Sequence, residues 1–234
     1  MKKSTAVSIK KARPAERPTV PEEAASSTRE RILAAAEAHF SEHGLAHASV
    51  RAITQLADAN SAAVVYYFGS KEELFEIVLN RCVASLAAPR LQALDALEQR
   101  AGAKPVPLAD IVRILAEPYV MNRADAQRPA ALYARFYGRM YAEPNDVQRR
   151  VVRTGFEELQ QRFLAALARR LPQVPIEELT WRLVCILTSL VHVAAGTGSA
   201  GRITPGAEDL DDAALMQVLV QSFSGLLSAP SALK

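Results

Sequence analysis

Two cysteines in 234 residues, Cys82 and Cys185, are too few for a disulfide framework, and neither stands in a Cys-x-x-Cys or Cys/His zinc spacing. No covalent staple or metal is expected to hold the fold, and a reducing cytoplasm is the expected setting. Charge of one sign is missing too. The 28 Lys and Arg stand against 25 Asp and Glu, a net of +3, which excludes a highly charged disordered chain and leaves a mild lean toward anionic partners. Long hydrophobic runs are absent. The longest, Leu183 to Ala195, is interrupted by Thr188, Ser189 and His192 and falls short of the roughly 20 residues that cross a bilayer, so no membrane span is expected. Lys2-Lys3 is followed by Ser, Thr, Ala, Lys and Pro rather than by the apolar stretch of a secretory signal. What the chain does have is a 50% hydrophobic content, enough for one large or two small buried cores.

The first 27 residues carry six bases, Lys2, Lys3, Lys10, Lys11, Arg13 and Arg17, against three acids, with Pro14, Pro18 and Pro21 among them. They have little to bury and read as a basic arm. From Ser27 the pattern turns helical. Ser27 with Glu30 has capping-box spacing, Ile32, Leu33, Ala36 and Phe40 recur on one face, and Gly44 supplies a stop, so a first helix is predicted from about Thr28 to His43. Ser49 and Asn60 are placed to cap two short helices, 50–57 and 61–68, and Ser70 with Glu73 repeats the capping box before a fourth. Beyond Pro89, breaks at Gly102 to Pro107, Arg128-Pro129, Glu143-Pro144, Pro172 to Pro175 and Gly196 to Gly206 predict helices over 108–123, 130–142, 145–171, 176–195 and 207–228. No stretch alternates with period two, so the predicted class is all-α. The predicted division is an arm at 1–27, a three-helix domain at 28–72 and a helical bundle at 73–228.

Two short helices joined by a three-residue turn have the proportions of a helix-turn-helix, whose second helix enters the major groove. Asp58 occupies a turn position that favours a left-handed backbone, which Asp tolerates better than most residues. At 100° per residue, Val64 and Phe68 fall on one side of the third helix and Ala62, Val65 and Tyr66 on the other. The first pair would pack. Ala62 and Val65 would meet thymine methyl groups, Ser61 and Tyr66 would hydrogen-bond, and Arg51 would grip a guanine edge. Tyr67 and Lys71 are placed for phosphates, which set register and affinity rather than sequence preference. Residues 28–81 nevertheless carry five bases against seven acids. Phosphate affinity must then come from local placement, from helix N-termini and from the arm.

Ala48-Ser49-Val50-Arg51-Ala52-Ile53, followed by Asn60-Ser61-Ala62-Ala63-Val64-Val65-Tyr66-Tyr67-Phe68-Gly69-Ser70-Lys71-Glu72-Glu73-Leu74, resembles the DNA-binding domain of TetR/AcrR-family transcriptional regulators. The resemblance implies a homodimer that binds a palindromic DNA operator, with a larger C-terminal domain that binds a small-molecule effector and so controls the operator, and a repressor is expected. It also implies DNA contacts at Arg51, Ser61, Ala63, Val65, Tyr66, Tyr67 and Lys71. Ala63 and Val65 depart from the polar residues common at those positions. Arg135-Phe136-Tyr137-Gly138 is similar to a helix in one branch of the family.

In the C-terminal half, Tyr119, Tyr133, Phe136, Tyr137 and Met140 cluster with Met121 and Tyr141. They suit either a mostly apolar effector pocket or a plain helical core. Arg135 and Arg139 suit an anionic ligand or a solvent-facing surface. The apolar surface of the last two helices exceeds what one bundle needs, and Trp181, Val184, Leu187, Val191 and Phe223 are the expected dimer contacts. His39, His43 and His47 lie four apart with no carboxylate or thiol fixed beside them to complete a metal site, and Gly196 to Gly201 spells GxGxxG without a preceding strand. No metal or cofactor is expected. No nucleophile, base and orienting acid can be assembled, so no enzyme is expected. Two other readings stay open: a ligand-binding helical protein whose helix-turn-helix contacts another protein, or a helical enzyme with its site among the aromatics.

Overall fold

The computed structural model describes residues 22–121, 125, 128–142, 145–195 and 210–233, and these form helices joined by turns, with no strand among them. The first helix, α1, spans Glu22–His47 and breaks at Gly44, whose φ of 69° and ψ of 179° lie in a region open only to glycine. It starts earlier than predicted, so residues 22–27 are helix rather than arm. Ser27 therefore caps nothing, and its Oγ accepts from Arg31 Nη1 at 3.3 Å. Residues 1–21 of the expected arm lie outside the described residues.

Local hydrogen bonds start the next three helices. In α2, Val50–Leu56, the Ser49 Oγ accepts from the Ala52 amide at 3.4 Å. In α3, Ser61–Phe68, Asn60 Oδ1 accepts from the Ala62 and Ala63 amides at 2.6 and 3.2 Å. In α4, Lys71–Ala101, the Ser70 Oγ accepts from the Glu73 amide at 3.1 Å and donates to the Glu73 carboxylate at 2.9 Å. Each satisfies an amide that has no partner within its helix. α4 then runs through Pro89. The proline removes one amide and frees the Ser85 carbonyl, but buried residues before and after it, Val83, Leu86, Ala87, Leu94 and Leu97, hold the helix together by packing.

α4 joins both halves of the molecule. Its first turns bury Leu74, Phe75 and Val78, and Phe75 meets Phe40 of α1 edge to face at 5.1 Å. Its later turns belong to a bundle with α5 (Leu108–Val120), α6 (Pro129–Ala142), α7 (Asp146–Arg170), α8 (Ile176–Ala194) and α9 (Asp212–Ser228). A division at residue 72 would therefore fall inside one continuous helix. α4 and α7 approach closely at Gly155, where a Cβ would sit 2.5 Å from Val83 Cγ1. α6 packs on α1, α4 and α8, and Phe136 on α6 meets Phe75 edge to face at 6.0 Å. Phe40, Phe75 and Phe136 thus form a buried ladder from the amino-terminal helices into the bundle, each ring adding about 2 kcal/mol by burial.

Candidate nucleic-acid interface and ligand cavity

α3 has one packed face and one bare face. Val64 is 1% and Phe68 5% exposed, while Val65 is 67% and Tyr66 79% exposed, with Ser61 and Ala62 open beside them. Ala63 and Tyr67 are half-buried against the core, and the Tyr67 ring meets that of Tyr66 edge to face at 4.9 Å. Arg51 is exposed on α2. An eight-residue helix braced from behind, with small and aromatic side chains outward, has the shape that a major groove admits.

Three contacts outside α3 fix its angle. Asp58 adopts the left-handed backbone expected of the turn, with φ 46°. Arg31 of α1 donates from Nε to the Ala57 carbonyl at 2.9 Å and from Nη2 to the Asp58 carbonyl at 3.2 Å. His39 Nε2 accepts from the Ser49 amide at 3.3 Å, and burial with the neighbouring His43 lowers its pKa, which favours the neutral ring this bond requires. Lys71 was expected to meet a phosphate. Its Nζ instead donates to the Leu45 and Ala48 carbonyls at 2.9 and 3.3 Å, satisfying the backbone left open after the Gly44 break. Arg29 lies 5.4 Å from the Phe68 ring centroid.

In the bundle, a cavity of about 270 Å³ is bounded by α4, α5, α6, α7 and α8. Tyr119, Tyr133 and Tyr137 line it, as does Phe156, whose ring meets Tyr133 edge to face at 5.3 Å. Burial and the two neighbouring tyrosines push the Tyr133 hydroxyl far above its ordinary pKa, so it stays a donor. Phe136, expected in the pocket, is turned to Phe75 instead, one residue and so about 100° around α6 from the cavity-lining Tyr137. Of Met140 and Arg139 only the backbone is described. Arg135 Nε donates to Ser41 Oγ of α1 at 3.3 Å, so this guanidinium joins two helices. The sequence reading missed Arg90, Phe156, Val152 and Leu159, which also line the cavity. A second, wider opening of about 390 Å³ lies on the far side of Arg90.

Of the expected dimer contacts, Trp181 is 71% exposed and Val184 is also open, and Val218 and Leu226 of α9 extend that apolar face. Phe223 is half-buried. Leu187 and Val191 turn toward the cavity, and Val191 is buried, because α8 is covered by the bundle along that side. Among the described residues, no group of three or more His, Cys, Asp or Glu is placed to hold a metal, and no helix is long and apolar enough to cross a membrane. Gly196 to Gly201 lies outside the described residues.

An all-helical chain with a braced, outward-facing second helix of a helix-turn-helix and a separate cavity-bearing bundle defines a class, the two-part helical regulators. Residues 32–78 match the model for bacterial regulatory proteins of the tetR family, and residues 113–225 match the tetracyclin repressor-like C-terminal domain. The chain belongs to the TetR family. It is 44% identical to the HTH-type transcriptional repressor NicS of Pseudomonas putida over 61 residues, a stretch covering 26% of this chain and only 29% of that repressor. Among solved structures, a transcriptional regulator from Rhodococcus sp. Rha1 superposes with a TM-score of 0.58 at 22% identity, covering 85% of this chain and 95% of the other. A SmeT–triclosan complex superposes with a TM-score of 0.59 at 24% identity, covering 84% and 90%. At these identities the structural likeness speaks for the fold.

Proposed function

We propose that the protein is a homodimeric transcriptional repressor of the cytoplasm that grips a palindromic operator through α3 of each protomer and lets go when a small molecule fills the bundle cavity. The observation that carries this reading is the two-sidedness of α3: Val64 and Phe68 anchored, Ala62, Val65 and Tyr66 bare. Ala62 and Val65 offer methyl contacts to thymine, and Tyr66, Ser61 and Arg51 offer hydrogen bonds to base edges. Ala63 and Tyr67 brace the helix from behind, with Tyr67 at the phosphate flank, and Lys71 ties the start of α4 to the Leu45 and Ala48 carbonyls. The exposed Trp181, Val184, Val218 and Leu226 supply the apolar patch for a two-fold contact between α8 and α9 pairs.

Coupling follows from connectivity. Tyr133 lines the cavity and Phe136, on the same helix, leans on Phe75 and through it on Phe40. An effector that prefers one setting of α6 and α4 shifts the spacing of the two α3 helices, and only a difference in its affinity for the two settings does so. The test is selection of bound sequences from random duplex DNA. The expected product is an inverted repeat with half-sites about one helical turn, roughly 34 Å, or a multiple of it apart, bound more weakly as salt rises. A pool without any enriched sequence overturns the reading.

A further inference from the structure

We infer that the bundle cavity is built for a small organic carboxylate, with Arg90 as its counter-ion; this rests on reading the cavity as the effector site. Arg90 stands in the middle of α4 and is 2% exposed. Its Nε donates to the Leu86 carbonyl of its own helix at 2.7 Å, and its Nη1 reaches the Tyr119 hydroxyl only at 3.5 Å. Its Nη2 is buried and has no hydrogen-bond partner. Among the described residues, no carboxylate forms an ion pair with Arg90; Asp95 and Glu98 pair with Arg162, Glu76 with Arg150 and Glu178 with Arg182.

A guanidinium cannot shed its proton to escape burial, as a lysine can. A buried cation with an unmet donor is costly. Two aromatic faces offset part of that cost, since the guanidinium carbon lies 5.3 Å from the Tyr119 centroid and 5.5 Å from that of Phe156. Both rings and Arg90 itself are walls of the cavity. The group still lacking is an anion.

The remaining walls select among anions. Among the described residues, Arg90 is the one cationic side chain on this cavity, which suits a single negative charge rather than a doubly charged phosphate. Its planar fork matches a carboxylate, and the hydroxyls of Tyr119 and Tyr133 add donors beside it. Val152, Leu159 and Leu187 present hydrocarbon to the rest of the ligand, with Gln160 and Thr188 as polar points among them. A volume of about 270 Å³ admits one ring or a short chain. The ligand is therefore an aromatic or short aliphatic monocarboxylate. Its charge would be fixed on α4 one residue from Pro89, at the helix that also carries Phe75.

Calorimetric titration of the DNA-free full chain with benzoate, phenylacetate and hexanoate, each against its own amide, tests this. At least one acid is expected to bind saturably, with its amide tenfold weaker or worse. Arg90→Met is expected to weaken that acid by about thirtyfold or more, and Arg90→Lys, which keeps the charge and loses the fork, by less. Equal binding of acid and amide overturns the inference, as does Arg90→Met binding like the wild type, or no acid binding at millimolar concentration. The acid–amide comparison uses wild-type protein, so it stands even if Arg90→Met does not fold. Because no DNA is present, these outcomes are separate from whether the chain selects an operator.

Discussion

Arg182 and Arg90 are both buried in the same bundle, one at the end where α8 meets α9 and the other at the cavity. Arg182 is saturated. It donates to the Leu227, Ala229 and Pro230 carbonyls at 2.6, 2.9 and 3.0 Å and pairs with the Glu178 carboxylate. Glu178 in turn accepts from the Ser231 hydroxyl at 2.6 Å and from the Ala232 and Leu233 amides at 3.1 and 3.3 Å. Arg90 has one bond to its own helix, two aromatic faces and an idle nitrogen. Where a buried cation serves the fold, the chain itself supplies the acceptors. Where the acceptors are missing, the cation serves something that comes and goes.

The sharpest way to break this contrast is to remove each cation and measure stability without ligand. Arg182→Met leaves Glu178 unpaired and three carbonyls without their donor, and should cost about 3 to 5 kcal/mol in urea denaturation. A loss under about 1 kcal/mol would remove Arg182 from any structural role. Arg90→Met should cost nothing in the same assay and should raise stability by about 1 kcal/mol or more, since replacing an uncompensated buried charge with a side chain of similar size tends to stabilise. A loss as large as that of Arg182→Met would make Arg90 a structural residue and erase the contrast. The smallest effect concerns acid. The Ser231 hydroxyl and the Ala232 amide, with Arg182 and the Leu233 amide, hold the Glu178 carboxyl down to about 2, against about 4.5 when unfolded. A lowered carboxyl contributes stability in full above the unfolded value, and that contribution fades as pH falls through the folded one. Glu178→Gln should lower stability most above pH 4.5 and flatten its loss between pH 4.5 and pH 2, where variant and wild type converge; an unchanged acid limb would contradict the assignment.

The helix-turn-helix was legible because its rules are local. Ser49, Asn60 and Ser70 cap helices two or three residues away, and Val64 and Phe68 share a face by spacing alone. Contacts across long separations were not legible. Arg31 closing the turn at Ala57 and Lys71 closing the backbone at Leu45 and Ala48 span more than twenty residues, and neither side chain carries a mark that distinguishes it from a solvated cation. The start of α1 was misjudged although Glu22 and Glu23 after Pro21 already form a helix-opening pattern, because the prolines and bases before them read as linker. In the bundle, the aromatic cluster marked the right region but not the right faces. Tyr133 and Phe136 lie three residues apart, and only the packing partners decide that one lines a cavity and the other braces the amino-terminal helices. Arg90 gave no signal at all, since a lone arginine in a helix is read as surface by default.

The central claim is that the bare side of α3 reads DNA while its other side only holds the helix in place. It is tested most directly by fluorescence anisotropy of a selected operator with wild-type protein and Tyr66→Ala, at one fixed salt concentration, with circular dichroism and oligomeric state measured on the same samples. Tyr66 is 79% exposed and touches no core residue outside its own helix in the contacts described, so its truncation should leave fold and assembly intact. The expected result is a fall in operator affinity to the level of unselected DNA, with melting temperature and oligomeric state unchanged. Wild-type operator affinity in Tyr66→Ala would contradict the claim.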